Sequence, residues 1–193
     1  MIIFVHGIRS KGTDNVDRMG DKLEARGHWT VDFDYPTVNL LDVLLKMRGF
    51  HTKTVMQNAS RLCQVTQGAD QRPDAVAHSM GCLVTLRAME CGAKFGTVFW
   101  FAPAMNKDFV IPNWGCERLY IIHNRNDKAI KLGSVLRMHP FGDMGLVGSQ
   151  YEGLDWRIKN IEPAVKGQEW FSHNYAFEGD ELDYWTDFVE TKI

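Results

Sequence analysis

Ser79 stands at the centre of the pentapeptide Ala77-His78-Ser79-Met80-Gly81, and its neighbours are of the types that a nucleophilic serine needs. An apolar run, Ala75-Val76-Ala77, leads into it, and Cys82-Leu83-Val84-Thr85-Leu86-Arg87-Ala88-Met89 reads as a helix leading away. A serine on a strand-to-helix turn between two small residues is the layout of a nucleophile elbow. So tight a turn brings the positions two residues either side together, and both must be small. Gly81 meets that demand fully, and Ala77 carries the smallest side chain that could stand there. The helix N-terminus behind Ser79 supplies an N–H group and the positive end of a dipole where an oxyanion would form. The same five residues also suit an ordinary serine N-cap. The choice depends on whether an acid and a histidine follow in the right order.

The elements that would position these groups alternate along the chain. Strands are expected at Ile2 to Val5, Thr30 to Tyr35, Ala75 to Ala77, Thr97 to Phe101, Arg118 to Ile122 and Trp156 to Ile161. Helices are expected at Val16 to Ala25, Thr52 to Thr66, Met80 to Cys91, Lys128 to Leu136 and Glu181 to Lys192. Gly12-Thr13-Asp14-Asn15 offers capping residues before the first helix, while Gly27 and Gly92 supply helix stops. This order argues for an α/β fold with one doubly wound, mainly parallel sheet of about six strands and helices on both faces. No repeat or linker divides residues 1–193, which read as one domain. Two segments lack clear periodicity, Pro36 to His51 and Arg137 to Leu154, and loops of that length in a compact domain usually serve function; the first is apolar and suits a further core helix as well as a flap lining the site.

In a doubly wound sheet the ligand crevice lies beyond the carboxyl ends of the strands, where the strand order reverses. With the first strand central, its following turn, His6-Gly7-Ile8-Arg9-Ser10, faces the turn that carries Ser79. A glycine straight after a strand permits close backbone approach. Gly7 to Gly12 also matches the spacing of a phosphate loop, but Thr13 stands where the phosphate-holding lysine is needed, and no G-x-G-x-x-G follows. Nucleotide binding is therefore set aside.

His-Gly after a first strand, Ala-His-Ser-Met-Gly at the elbow, and a later acid followed by a histidine resemble the α/β-hydrolase family. The likeness is to its small, capless bacterial lipase and esterase branch, where alanine replaces the first elbow glycine. It implies an oxyanion hole from the backbone N–H groups of Ile8 and Met80, and triad partners in the order nucleophile, acid, histidine. Arg118 to Ile122 reads as a strand, and His123-Asn124-Arg125-Asn126-Asp127 is the polar turn after it, where the family carries its acid. Asp127 fits that place, and it equally fits an N-cap for the helix from Lys128. Asp143 is the reserve. His173, in Phe171-Ser172-His173-Asn174-Tyr175, precedes the last helix, where the family carries its base. Imidazole is the side chain suited to taking and returning the serine proton near neutral pH. His6 and His78 adjoin the two turns, His123 ends a strand, and His28, His51 and His139 read as loop residues. Cys82 departs from the family, in which a second glycine is common at that position. Apolar residues of the two long segments, Leu41, Leu45 and Phe141 among them, would line an acyl or alcohol pocket, as could Leu146, Tyr151 and Leu154.

The resemblance thus implies a serine hydrolase for an ester or thioester, with no cofactor and no metal. The same triad would also serve an acyltransferase, and the fold alone would serve a non-catalytic binding protein. Composition narrows the partners to a small molecule. A net charge of -2 leaves no basic footprint for nucleic acid, and no apolar run approaches a membrane span. Cys63, Cys82, Cys91 and Cys116 form no C-x-x-C pair and read as buried free thiols, and the seven histidines show no H-x-x-x-H spacing. Met1 leads directly into the first strand, leaving no signal peptide ahead of it. The expectation is a cytoplasmic protein, a monomer by default.

Overall fold

The computed structural model describes residues 1–7, 16–35, 50–135, 142–163 and 173–193. Six strands form one sheet: β1 (Ile2–Val5), β2 (Thr30–Asp32), β3 (Asp74–His78), β4 (Phe95–Phe101), β5 (Cys116–Ile122) and β6 (Ile158–Ile161). Their order is β2-β1-β3-β4-β5-β6, and every pair is parallel. Helices α1 (Val16–Ala25), α2 (Phe50–Gln67), α3 (Met80–Glu90), α4 (Lys128–Val135), α5 (Met144–Val147) and α6 (Gly179–Glu190) intervene. A 3₁₀ turn, Tyr175–Phe177, leads into α6.

The strands are apolar almost throughout because both faces of the sheet are covered. Successive side chains point to opposite faces, and the core divides accordingly. Ile3, Val5, Ala75, Ala77, Val98 and Trp100 pack with α2 and α3 on one side. Ile2, Phe4, Val76, Phe99 and Phe101 pack with α1, the 3₁₀ turn and α6 on the other. Exposed ion pairs from Lys22, Arg26 and His28 to Asp183, Asp187 and Glu190 tie α1 to α6. Such pairs contribute little individually.

β1 and α1 fall within the bounds read from the sequence. β2 stops at Asp32, although the Phe33 N–H still bonds to the Phe4 carbonyl at 2.8 Å. Gly27 and Gly92 end α1 and α3 at positive φ, 93° and 101°. His51, expected in a loop, belongs to α2. Cys91, expected to be buried, is exposed, because it sits just past the end of α3; Cys63, Cys82 and Cys116 are buried, and all four thiols are free. No described helix is long and apolar enough to cross a membrane. Among the described residues no His/Cys/Asp/Glu group could hold a metal ion.

Pairing β1 with both β2 and β3 puts the reversal of strand order at β1. The turns that follow β1 and β3 consequently meet at the carboxyl edge of the sheet.

Candidate active site

Ser79 occupies the link between β3 and α3 at φ 55° and ψ -120°. A non-glycine residue at positive φ is costly by about 1–3 kcal/mol, and it persists only where its surroundings over-determine it. Here they do. The Ser79 N–H donates to the Phe101 carbonyl at 2.9 Å, and its own carbonyl accepts from Cys82 and Ala104, each at 3.2 Å. The end of β4 and the first turn of α3 thus clamp the serine backbone from both sides.

The small neighbours have identifiable reasons. A β-carbon on Gly81 would stand 2.6 Å from the His6 carbonyl oxygen and nearer still to that of Val5. α3 therefore starts directly against the end of β1, which only glycine allows. A β-carbon on Gly7 would stand 2.9 Å from the β-carbon of Ser79. Gly7 makes room for the serine itself, not only for a bound group. Cys82, the departure from the family pattern, turns its thiol back onto the elbow, toward the Ala77 carbonyl at 3.4 Å and that of Phe101 at 3.7 Å.

The polar turn after β5 is stitched by its own residues. Asn124 accepts the Asn126 N–H on its side chain at 2.8 Å and the Asp127 N–H on its carbonyl at 3.0 Å. The Asn124 N–H in turn donates to Gly145 of α5 at 2.8 Å. Asp127 uses both of its carboxylate oxygens. Its Oδ1 accepts the Ile130 N–H at 3.0 Å and caps α4. Its Oδ2 accepts the Nδ1–H of His173 at 2.7 Å. Burial by itself would raise the Asp127 pKa. The His173 hydrogen bond and charge, joined by the Ile130 N–H, outweigh burial and hold the carboxyl below its ordinary value.

His173 lies just before the 3₁₀ turn with its ring partly exposed, at 21 %. Its ring centroid is 4.6 Å from that of His78, the residue before Ser79. His78 Nε2–H donates to the His173 carbonyl at 3.0 Å. Burial first, and the neighbouring His173 imidazole second, push the His78 pKa down to about 3. His78 is therefore neutral at physiological pH. The sequence offered a signal for this contact: strand alternation puts His78 on the face of β3 that α6 covers, and His173 precedes α6.

Asp143, the reserve acid, lies elsewhere. It precedes α5 and pairs with Lys107, through the backbone N–H at 3.3 Å and the ammonium at 3.1 Å. Ile8, expected in the oxyanion hole, and Leu41, Leu45 and Phe141, expected in the pocket, lie outside the described residues. Leu154 points into solvent, at 83 % exposure, and the Tyr151 hydroxyl donates to the Asp108 carbonyl at 3.2 Å. The segment around α5 instead braces the Asp127 turn, through the Asn124–Gly145 bond and the approach of the His123 Nδ1 to the Leu146 carbonyl at 3.2 Å.

No protein-family model matches the chain, and no curated protein matches it. Solved structures do. The chain is similar to a protein from Xanthomonas campestris pv. campestris assigned to the hydrolases of the alpha/beta superfamily, with a TM-score of 0.56, 16% identity and 98% of each chain covered. It is also similar to a protein from Pectobacterium atrosepticum assigned as a YdeN-like hydrolase, with a TM-score of 0.53 and 16% identity over 100% of this chain and 92% of that one. A third, from Thermoplasma acidophilum and assigned as a CIB-like hydrolase, gives a TM-score of 0.52 and 16% identity over 98% and 86%. At such identity the likeness concerns the path of the chain. The six-stranded sheet, with no separate cap among the described residues, has the α/β-hydrolase fold.

Proposed function

We propose that this protein is a serine hydrolase that cleaves a carboxylic ester or thioester through an acyl-enzyme. The observation that carries the reading is the 2.7 Å bond between His173 Nδ1 and Asp127, made where the His173 ring meets that of His78, the residue before a serine held at positive φ. With its Nδ1 proton committed to the carboxylate, the His173 ring carries its lone pair on Nε2. There it can take the proton of Ser79 as the hydroxyl oxygen attacks the substrate carbonyl. The same proton then passes to the departing alcohol or thiol. Water repeats the sequence on the acyl-enzyme and releases the acid. Asp127, ionised and buried, stabilises the imidazolium formed at each step. The N–H of Met80, the first residue of α3, has no acceptor within its helix. It suits one donor of an oxyanion hole, and the N–H of Ile8 is the second in this reading. Leu41, Leu45 and Phe141 stay assigned to the acyl pocket.

With no separate cap among the described residues, the crevice of this reading buries only the first part of an acyl chain, so short to medium acyl esters are the preferred substrates. Each further buried methylene contributes about 0.8 kcal/mol, and the gain ends where the chain re-enters water. Free thiols, one of them exposed, fit a reducing compartment such as the cytoplasm. The test is labelling by a fluorophosphonate, followed by a panel of acyl esters and thioesters of increasing length. Labelling at Ser79, lost in Ser79→Ala, and turnover that levels off at medium length are expected. An unlabelled protein, or a label on another residue, overturns the assignment.

A further inference from the structure

His78 has no part in the proton transfers just described, yet its ring is placed as if it did. It is buried, with Nε2 committed to the His173 carbonyl at 3.0 Å and its ring against that of His173 at 4.6 Å and 44°. Phe177 also meets it edge-on, at 5.2 Å, and Phe177 packs in turn on Phe101, the residue whose carbonyl holds Ser79. The backbone N–H of Ser79 is thereby linked through Phe101, Phe177 and His78 to the backbone of His173.

A carbonyl can only accept, so the Nε2 of His78 carries the proton and Nδ1 does not. That Nδ1 is buried and has no hydrogen-bond partner among the described residues. A second proton there would put an unsatisfied donor and a charge in the core, beside a ring that must become cationic during the reaction. Burial, holding the His78 pKa near 3, keeps that from happening.

We propose that His78 is a positioning residue for His173: its N–H fixes the His173 backbone, and its neutral ring backs the His173 ring while that ring is bonded to Asp127. The inference rests on the Ser79–His173–Asp127 reading for its role in turnover, but not for its effect on the His173–Asp127 bond. His78→Phe keeps a ring and removes the donor; His78→Gln keeps an amide donor of similar reach and removes the ring. In His78→Phe, kcat is expected to fall on the order of 10- to 100-fold, with KM within about 2-fold, because the base is misplaced and substrate contacts are not. His78→Gln should retain kcat within about 5-fold of the native protein, a partial rescue that bulk packing would not give.

The second readout needs no substrate. The far-downfield proton resonance of the His173 Nδ1–H, bonded to Asp127, should persist in the native protein and in His78→Gln and broaden away in His78→Phe. A His78→Phe protein with native kcat and an intact resonance overturns the proposal. So does a folded His78→Gln protein that has lost the resonance, which keeps the test open if the phenylalanine variant does not fold. Absence of esterase activity in the native protein with these resonances as expected would count against the substrate reading alone.

Discussion

Asp127 and His173 are joined through one carboxylate oxygen only, because the other holds the first turn of α4 at Ile130. The two duties are separable by substitution. Asparagine caps a helix about as well as aspartate, while alanine does not. Asp127→Asn should therefore keep α4 and lose the negative charge that fixes and stabilises the imidazolium, lowering kcat on the order of 10⁴-fold. Asp127→Ala should lose activity similarly and, in addition, about 1 kcal/mol of stability. Urea unfolding of both variants beside ester kinetics gives the comparison. Equal stability of the two would remove the capping role.

Ser79→Ala should lower turnover on the order of a millionfold and leave secondary structure and unfolding midpoint near those of the native protein. Retained turnover in a clean preparation would end the assignment of Ser79 as nucleophile. The backbone clamp from Phe101, Cys82 and Ala104 uses no side-chain atom of the serine, which is why the fold should survive.

The glycines on either side should fail in different ways. A methyl group on Gly81 is driven into the carbonyls of Val5 and His6, which belong to β1, paired on both sides, and its exit and have little freedom to retreat. Gly81→Ala should cost about 3 kcal/mol of stability or more, read as a lowered urea midpoint. Gly7→Ala presses on the Ser79 β-carbon instead. Its larger effect should be on kcat, on the order of 100-fold, because the nucleophile shifts. A Gly7→Ala protein that is unstable yet fully active per folded molecule would contradict this division.

Acid should weaken the fold through two buried groups of this site. His78 has a folded pKa near 3 against 6.5 for a free imidazole. Below 6.5 the unfolded chain takes up a proton that the folded one refuses. Stability then falls as pH falls, by at most about 1.4 kcal/mol per pH unit from this group, until the folded His78 also titrates. Asp127, with its folded pKa depressed, adds stability that is present above its unfolded pKa and lost as pH falls through the folded value. The two act in the same direction. Urea unfolding at pH 7, 5 and 4 should show the decline, and His78→Phe should flatten the part between pH 6 and pH 5, above the carboxylate range. An unchanged slope in that variant would mean that His78 does not carry it.

Much of this site is legible in the sequence, for reasons that can be stated residue by residue. Ser79, Asp127 and His173 each lie at the end or start of an element whose apolar pattern is strong, so the order of elements brings their turns to one edge. The bounds of β3 and β4 are less visible. Asp74 and Gly96 do not look like strand residues, yet parallel pairing extends both strands, and the Asp74 carboxylate accepts the Thr97 N–H at 2.7 Å. α5 is hidden because four residues are too few to display a period. In sequence His78 stands only as a neighbour of the elbow: strand alternation gives its face of the sheet, but its hydrogen-bond partner is a backbone carbonyl far along the chain, which no side-chain pattern names.

The place of β1 between β2 and β3, one strand in from the sheet edge, bears on how the protein is made. Ile2 lies opposite Asp74, and the backbone of Ser79 is held by Phe101 and Ala104, which come later still. A chain emerging from the ribosome therefore presents its first strand long before that strand has both neighbours, and its serine before the bonds that force it into shape. Asp127 and then His173 arrive after that. The bonds that hold Ser79 at positive φ can therefore form only once residues 101–104 have been made, and the Asp127–His173 bond only once residue 173 has, so synthesis completes the parts of the proposed site in that order.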